Sequence, residues 1–317
     1  MKWAVIGGGL AGLASCYHLL SQGHQNVVLY EKKGIGGGAS GSSTGLLHPF
    51  AGENIPYSSN GFESLKQTLD LVDVVERELG YPVAIRNGIL RLIMKESQRP
   101  HFIKRSKEYK GVEFFQDSTQ LIPSLPSRSG VFIREGVTVF TKLYLQGLFQ
   151  VCRKMGLVHK KHEVTSCDQL DADRVILAVG ANLSDFIPDL PIKMVKGQSL
   201  FLRGKIERSV IGKGHISLTE DSKIVQIGST YEHYFQCPGP DIERAKELIY
   251  PKIQQFCPEV LSWPLIDCKA GIRVAPVSGY EPIVELLSNH TVFITALGSR
   301  GLLYHAAKAL RAIHLIK

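Results

Sequence analysis

Runs of four or so consecutive apolar residues, closed by glycines or a charged side chain, alternate with stretches whose apolar positions recur every three or four residues. Residues 3–6 (Trp-Ala-Val-Ile) form the first run, as a strand buried on both faces requires. Leu10, Leu13, Ala14, Tyr17 and Leu20 then keep helical spacing up to a stop near Gly23. Residues 27–30 read as a second buried strand, with Glu31 at its C-terminal end. Residues 34–45, rich in Gly and Ser, predict a loop. Leu65, Leu69, Leu71, Val72 and Val75 predict a helix over 61–79, and further helices are expected from Pro100, over 141–155, over 242–257 and at the C-terminus. Strands are expected at 83–86, 88–92, 131–133, 174–180, 199–202, 216–218, 224–228 and 292–296. The early and late runs suit a parallel sheet, whereas the middle ones suit an antiparallel sheet. Two textures interleaved in this way predict an α/β chain of two discontinuous domains.

Composition narrows this reading. Of 317 residues, 44% are hydrophobic and 21% charged, which excludes wholesale disorder. The 37 Lys and Arg against 29 Asp and Glu leave a net charge of +8, compatible with a polyanionic partner and equally with small anionic substrates. No two of the six cysteines form a C-x-x-C pair, so neither a metal site nor a dithiol site is expected, and the thiols read as a reduced set. Only Lys2 precedes the first apolar run, which breaks at once into glycines, so no secretory leader is expected. No apolar run is long enough to span a bilayer, and the expectation is a cytoplasmic protein without a membrane partner.

The first chemistry-bearing motif is Gly7-Gly8-Gly9-Leu10-Ala11-Gly12, a G-x-G-x-x-G string between a strand and a helix. Gly7 makes the tight turn, Gly9 lets a pyrophosphate approach the backbone, and Gly12 lets helix and strand pack closely. Free amides and the macrodipole at the helix start favour the phosphates. Glu31 stands nineteen residues after Gly12, where a carboxylate can hold ribose hydroxyls and disfavours a 2′-phosphate. The Gly and Ser residues after Glu31 can give more donors to a pyrophosphate and let a flat ring approach, or they form a mobile surface loop.

The glycine string, together with Gly38-Ala39-Ser40-Gly41 and Gly45-Leu46-Leu47-His48-Pro49, resembles the D-amino-acid oxidase/glycine oxidase family of FAD-dependent oxidoreductases. Later segments agree: 172–181, which ends in Gly180-Ala181; Val195-Lys196-Gly197-Gln198, read as a turn into the substrate sheet; Gly271-Ile272-Arg273; and Gly298-Ser299-Arg300-Gly301-Leu302. These landmarks span nearly the whole chain. The resemblance implies FAD and a Rossmann-type FAD-binding domain (1–80, 135–195 and 268–317). A second, mostly antiparallel β substrate domain (81–134 and 196–267) completes the fold. It places Gly7, Gly9, Leu10, Ala11, Gly12, Glu31 and Lys32 at the nucleotide end of FAD. Gly38, Ala39, Ser40, Thr44, Gly45, Leu46, His48 and Gly180 line its course, and Gly298, Arg300, Gly301 and Leu302 lie along the flavin.

The implied reaction oxidises a C–N bond next to a carboxylate in an amine or amino-acid-like substrate. Water then hydrolyses the imine, and molecular oxygen is the expected electron acceptor. The cofactor carries the chemistry, so the protein must hold the carboxylate and aim the C–H bond. Arg273 and Arg300 are the candidate carboxylate or flavin-edge groups, because a guanidinium meets a carboxylate through two hydrogen bonds. Tyr231, His233 and Tyr234 fall where the resemblance places substrate-pocket side chains. The family's Arg-Pro pair and downstream Asp are replaced here by the sequence from Arg273 to Pro282. The strings GASGSSTGLLHP, IGSTYE and ALGSRGL resemble one branch, the oxidase domains of bacterial enzymes that make 5-methylaminomethyl-2-thiouridine in tRNA. That branch implies removal of the carboxymethyl group from 5-carboxymethylaminomethyluridine, here by an oxidase without the methyltransferase half. Basic runs (Lys104, Arg105, Lys107, Lys110; Arg153, Lys154; 159–162) suit tRNA phosphates or simply a solvated face. A free amino-acid oxidase of the glycine, sarcosine or D-amino-acid type is the alternative, and a flavin-binding protein without turnover is a third.

Overall fold

A computed structural model describes residues 1–316. Its first sheet has six strands in the order Ile283–Ser288, Thr291–Thr295, Arg174–Leu177, Lys2–Ile6, Asn26–Tyr30 and Val158–Lys160. All pairs are parallel except the edge hairpin made by the first two. Alternation sends Trp3 and Val5 to one face, where helices Leu10–Ser21, Gly61–Leu79, Thr141–Lys154 and Gly301–Leu315 bury them in the main core. Ala4, Ile6, Val175 and Leu177 point the other way, under Leu183, Ile187 and Val164. Double coverage explains why these strands read as unbroken apolar runs.

The second sheet has eight strands in the order Leu265–Pro276, Ile192–Arg203, Ile224–Gly228, His215–Leu218, Ser209–Ile211, Ile89–Leu92, Gly130–Ile133 and Val112–Phe115. Its pairs are antiparallel except where Ser209–Ile211 meets Ile89–Leu92. Helix Ile242–Ile253 covers one face, setting Ala245, Ile249 and Ile253 against Leu200, Leu202, Val225 and Ile227. The alternate residues, including Gly197, Ser199, His215, Gln226, Gly271 and Arg273, take the opposite face. A small antiparallel sheet of Leu46–Leu47, Val137–Val139 and Ala84–Ile85 completes the set. This architecture is the α/β fold expected, a Rossmann-type layer with a mostly antiparallel sheet. No helix of the described residues is long and apolar enough to cross a membrane.

Three local expectations change. Residues 195–198 make no turn; they lie in the middle of Ile192–Arg203, with Val195 and Lys196 buried and paired to Arg273 and Ile272. The helix expected to reach Cys257 stops at Ile253: Phe256 N–H turns to Ile253 O at 3.0 Å, and Cys257, ahead of Pro258, is held out of the helical region. The Gly/Ser loop contains a single 3-10 turn, Ala39–Ser42, whose Ser42 hydroxyl bonds back to Ala39 O at 3.1 Å. The strands Ile192–Arg203 and Leu265–Pro276 belong to the eight-stranded sheet along their whole length. We therefore propose that the units divide near 192 and 276, not inside these strands.

Candidate cofactor and active site

The glycine turn is built by close approach. Gly7 N–H donates to Tyr30 O at 2.8 Å and holds φ at +106°, a value that L side chains rarely adopt. A Cβ on Gly12 would sit 1.8 Å from Gly7 O, and one on Gly9 would sit 2.9 Å from Ser40 Oγ. The first helical bond runs from Leu13 N–H to Gly9 O at 3.0 Å, so the amides of Ala11 and Gly12 precede it and face out of the helix start. Leu10 N–H is taken by Ser40 Oγ at 3.1 Å, and Gly36 N–H by Gly8 O at 2.9 Å. These bonds fold the second Gly/Ser loop over the first. The cradle is thus a bare helix N-terminus with no side-chain cap, flanked by hydroxyls and glycines, and its donors match the chemistry of a pyrophosphate.

Glu31 closes the far end. Its Oε2 accepts Gly8 N–H at 2.7 Å, while Oε1 accepts Lys33 N–H at 2.7 Å and Gly34 N–H at 3.2 Å. The carboxylate is therefore fixed at the end of its strand beside the turn. Lys32 points away, into an ion pair with Glu163. Gly45 holds φ at +73° and comes so close to Val139 O that a Cβ there would lie 1.9 Å from it, and Leu46 pairs with Thr138. Gly38 is extended at the head of the 3-10 turn, Thr44 is half-buried beyond its end, and Gly180, with φ at +58°, opens a short 3-10 segment after Arg174–Leu177. Replacing Gly12 with Ala should cost about 1–3 kcal/mol or more of overpacking, because the clashing atom is backbone. FAD retention should then fall about tenfold or more, read as visible flavin absorbance at equal protein concentration. Full flavin content in Gly12→Ala would sink the cradle assignment.

His48 follows the small sheet. Its Nδ1 accepts Phe50 N–H at 3.2 Å. Burial, with Arg91 nearby, lowers its pKa from 6.5 to about 3, so the ring is uncharged. Arg91 is itself buried, bonded to Phe50 O at 3.0 Å and Gly52 O at 2.7 Å, and burial lowers its pKa to about 10.

The floor opposite the cradle is one face of the second sheet. A Cβ on Gly271 would lie 2.3 Å from Ser42 Oγ and 2.9 Å from the Ala39 Cα, so this strand passes directly under the Gly/Ser turn. Four residues on, Ala275 lies against Gly298, whose Cβ would be 3.8 Å from Ala275 Cβ. Arg273 stands between them on the same face. Its guanidinium lies over Gly197, where a Cβ would be 1.9 Å from Nη2, and it donates to Thr230 O at 2.9 Å. Among the described residues, no carboxylate forms an ion pair with it. Burial pulls its pKa below the ordinary arginine value.

Arg300 takes a different direction. It reaches the Tyr280 carbonyl and lies 5.7 Å from the Tyr280 ring centroid and 5.3 Å from that of Tyr304, with Ser58 Oγ at 3.5 Å. The two arginines share no partner. Gly298, with φ at +56°, and Gly301 bring this segment back to the first helix, where a Cβ on Gly301 would meet Leu10 Cδ1 at 4.0 Å. Leu302 sends its side chain into the main core, and its carbonyl accepts from Thr68 at 3.1 Å and from His305 at 2.9 Å. Tyr231 and His233 lie at the rim rather than inside, 56% exposed in the case of Tyr231, with their rings edge to face at 5.0 Å.

Sequence reasoning missed two residues on this floor, Gln226 and His215. Gln226 donates to Ser42 O at 3.3 Å and Ser199 Oγ at 2.8 Å, linking the sheet to the Gly/Ser loop. His215, paired across from Gly228, turns onto the same face with Nε2 unpartnered. Burial first, then Arg273 and Lys252, lowers its pKa from 6.5 to about 3. Only the alternation within 215–218 could have signalled His215.

A dinucleotide cradle, a second glycine loop over it and a cationic sheet face opposite define a flavoprotein oxidoreductase. Residues 2–313 match the profile of the FAD dependent oxidoreductase (DAO) family, and the chain belongs to that family. FAD is its cofactor. The chain is 26% identical over 250 residues to the tRNA 5-methylaminomethyl-2-thiouridine biosynthesis bifunctional protein of Hydrogenovibrio crunogenus, covering 68% of this chain and 36% of that protein. The protein of the same name from Legionella pneumophila (strain Lens) is 24% identical over 314 residues, which is 91% of this chain and 46% of the relative. The chain thus spans less than half the length of these relatives. In fold it is similar to glycine oxidase from Geobacillus kaustophilus, with a TM-score of 0.86 at 17% identity over 99% of this chain and 94% of that one.

Proposed function

We propose that this FAD-dependent oxidoreductase oxidises a C–N bond next to a carboxylate, and that its substrate is the carboxymethylaminomethyl group of a wobble uridine in tRNA. The observation that carries the reading is Arg273, a part-buried guanidinium without an acidic partner among the described residues, set between the two segments that flank the cofactor site. A cation left unneutralised in a low-dielectric site calls for an anionic ligand, and a carboxylate matches its fork. Bound FAD supplies the two-electron oxidation. Arg273 holds the carboxylate, and the sheet face fixes its distance from the cofactor. The uncharged His215 gives hydrogen-bonding capacity beside Arg273 without adding a second positive charge. Arg300 braces the outer wall through Tyr280 and Tyr304. Molecular oxygen is the proposed electron acceptor.

The tRNA assignment rests on the names of the sequence relatives and on the net charge of +8. It is tested by incubating the holoenzyme with tRNA that carries 5-carboxymethylaminomethyluridine and analysing the digested nucleosides. Conversion to the aminomethyl form is expected, with a rate that falls as salt rises, because phosphate contacts release counterions. Untouched tRNA, with efficient anaerobic flavin reduction by glycine or sarcosine, would assign the chain to free amino acids instead.

A further inference from the structure

The mouth of the site is rimmed with exposed tyrosines. The Arg273 guanidinium carbon lies 5.8 Å from the Tyr231 ring centroid, and that of Arg300 lies 5.7 Å from the Tyr280 ring, so each site arginine leads outward to a tyrosine. Tyr280 is 81% exposed and Tyr234 96%, whereas large aromatic side chains normally bury most of their area. Tyr234 borders an open cleft of about 940 Å³ lined also by Lys193, Met194, His233, Phe235 and Gln236. Lys193 Nζ donates to Val277 O at 3.3 Å, which ties the loop carrying Tyr280 to the cleft floor.

The cleft lining holds a lysine and a histidine and no carboxylate. Glu232, the one acid in the segment between Tyr231 and Gln236, is turned inward onto Gln198 Nε2 at 3.0 Å and Thr230 Oγ1 at 2.5 Å. Glu281, next to Tyr280, is exposed. Flat, exposed aromatic faces beside the cations of Arg273, Arg300 and Lys193 suit unpaired nucleobases, because each base offers a π-face and each phosphate a negative charge. A free amino acid offers neither.

We propose that Tyr234 and Tyr280 are a stacking platform for the unpaired bases that flank the oxidised group in an RNA loop. The proposal rests on the tRNA reading above and adds to it the surface that selects a single-stranded loop over a free nucleoside. Two substrates separate the two ideas: an anticodon stem–loop RNA carrying 5-carboxymethylaminomethyluridine, and the free modified nucleoside. Tyr234→Ala and Tyr280→Ala should each lower kcat/KM for the stem–loop about tenfold, the scale of one lost base stack. Tyr234→Phe, which keeps the ring, should stay at the wild-type value. Tyr234→Ala should oxidise the free nucleoside as wild type does, with an unchanged flavin spectrum. If both alanine variants oxidise the stem–loop at the wild-type kcat/KM, the platform is wrong and the tRNA reading stands. Equal losses on stem–loop and nucleoside would also overturn it, placing the tyrosines at the reacting centre. A wild-type enzyme inert on the stem–loop would overturn the reading and the platform together.

Discussion

Arg273→Ala is expected to lower kcat/KM for a carboxylate-bearing amine by about thirtyfold to several thousandfold while FAD content stays near wild type. Truncating one partner of a desolvated charge pair costs about 2–5 kcal/mol, much of it the penalty of leaving the other charge unpaired. The structure explains why the loss should fall on substrate and not on cofactor. Apart from Thr230 O, and a long contact to Ser229 Oγ at 3.5 Å, the guanidinium has no hydrogen-bond acceptor among the described residues. Arg273→Lys should recover only part of the activity, since an ammonium cannot present the paired donors of the fork. Arg300→Ala should act in the same direction with a smaller loss and a perturbed flavin spectrum, because it removes the group between Tyr280 and Tyr304. Stopped-flow reduction of the flavin by substrate, with FAD occupancy measured in parallel, separates these outcomes. Unchanged kcat/KM in Arg273→Ala would place the carboxylate clamp elsewhere.

How much of this was legible in the sequence depended on the range of the interactions. The cradle was legible because it is local: strand, glycine turn, helix and Glu31 lie within thirty-one residues, and each glycine answers a contact made by its neighbours. The four inner strands of the first sheet were legible because coverage on both faces forces unbroken apolar runs, whereas the exposed edge strand Val158–Lys160 was not. Of Leu265–Pro276 only the end at Arg273 was read as strand, and its earlier residues were not. The strand carries Asp267, Lys269, Gly271 and Arg273 at alternate positions, which looks like a polar loop until one sees that this face lies under the cofactor loops. Segment 195–198 was misread for the same reason: Gly197, which suggests a turn, is the vacancy that seats the Arg273 guanidinium. Gln226 and His215 escaped because their roles come from cross-strand register, and register between distant strands leaves no mark in either strand alone. The rim position of Tyr231 and His233 likewise follows from the bridge of Lys196 to Glu232, which turns the acid in and the aromatics out.

The same structure should lose stability on mild acidification, through four histidines held uncharged. His305 is fully buried, with Nδ1 donating to Leu302 O at 2.9 Å and Nε2 accepting from the Tyr144 hydroxyl at 2.8 Å, so its neutral form is completely bonded. Burial lowers its pKa from 6.5 to about 4. His18, with Nε2 unpartnered, is also lowered to about 4 by burial, and His48 and His215 to about 3. The sign follows from proton counts. As pH falls through 6.5 the unfolded chain takes up protons at these four sites and the folded chain does not, so stability falls with pH until about 4 to 3, where the folded sites titrate as well. Each site contributes about 1.4 kcal/mol per pH unit in the middle of that window, so four together approach about 5 kcal/mol per unit. Against a typical stability of about 5–15 kcal/mol, this is a large share of the folded state's margin by about pH 5. Urea midpoints measured with saturating FAD should be flat above about pH 7 and fall steeply below about pH 6.5. His18→Leu, which removes one titrating site with an unpartnered nitrogen, should make that fall shallower by about a quarter. A midpoint that holds steady down to about pH 5 would mean that these rings are protonated as readily in the folded protein as in the unfolded chain.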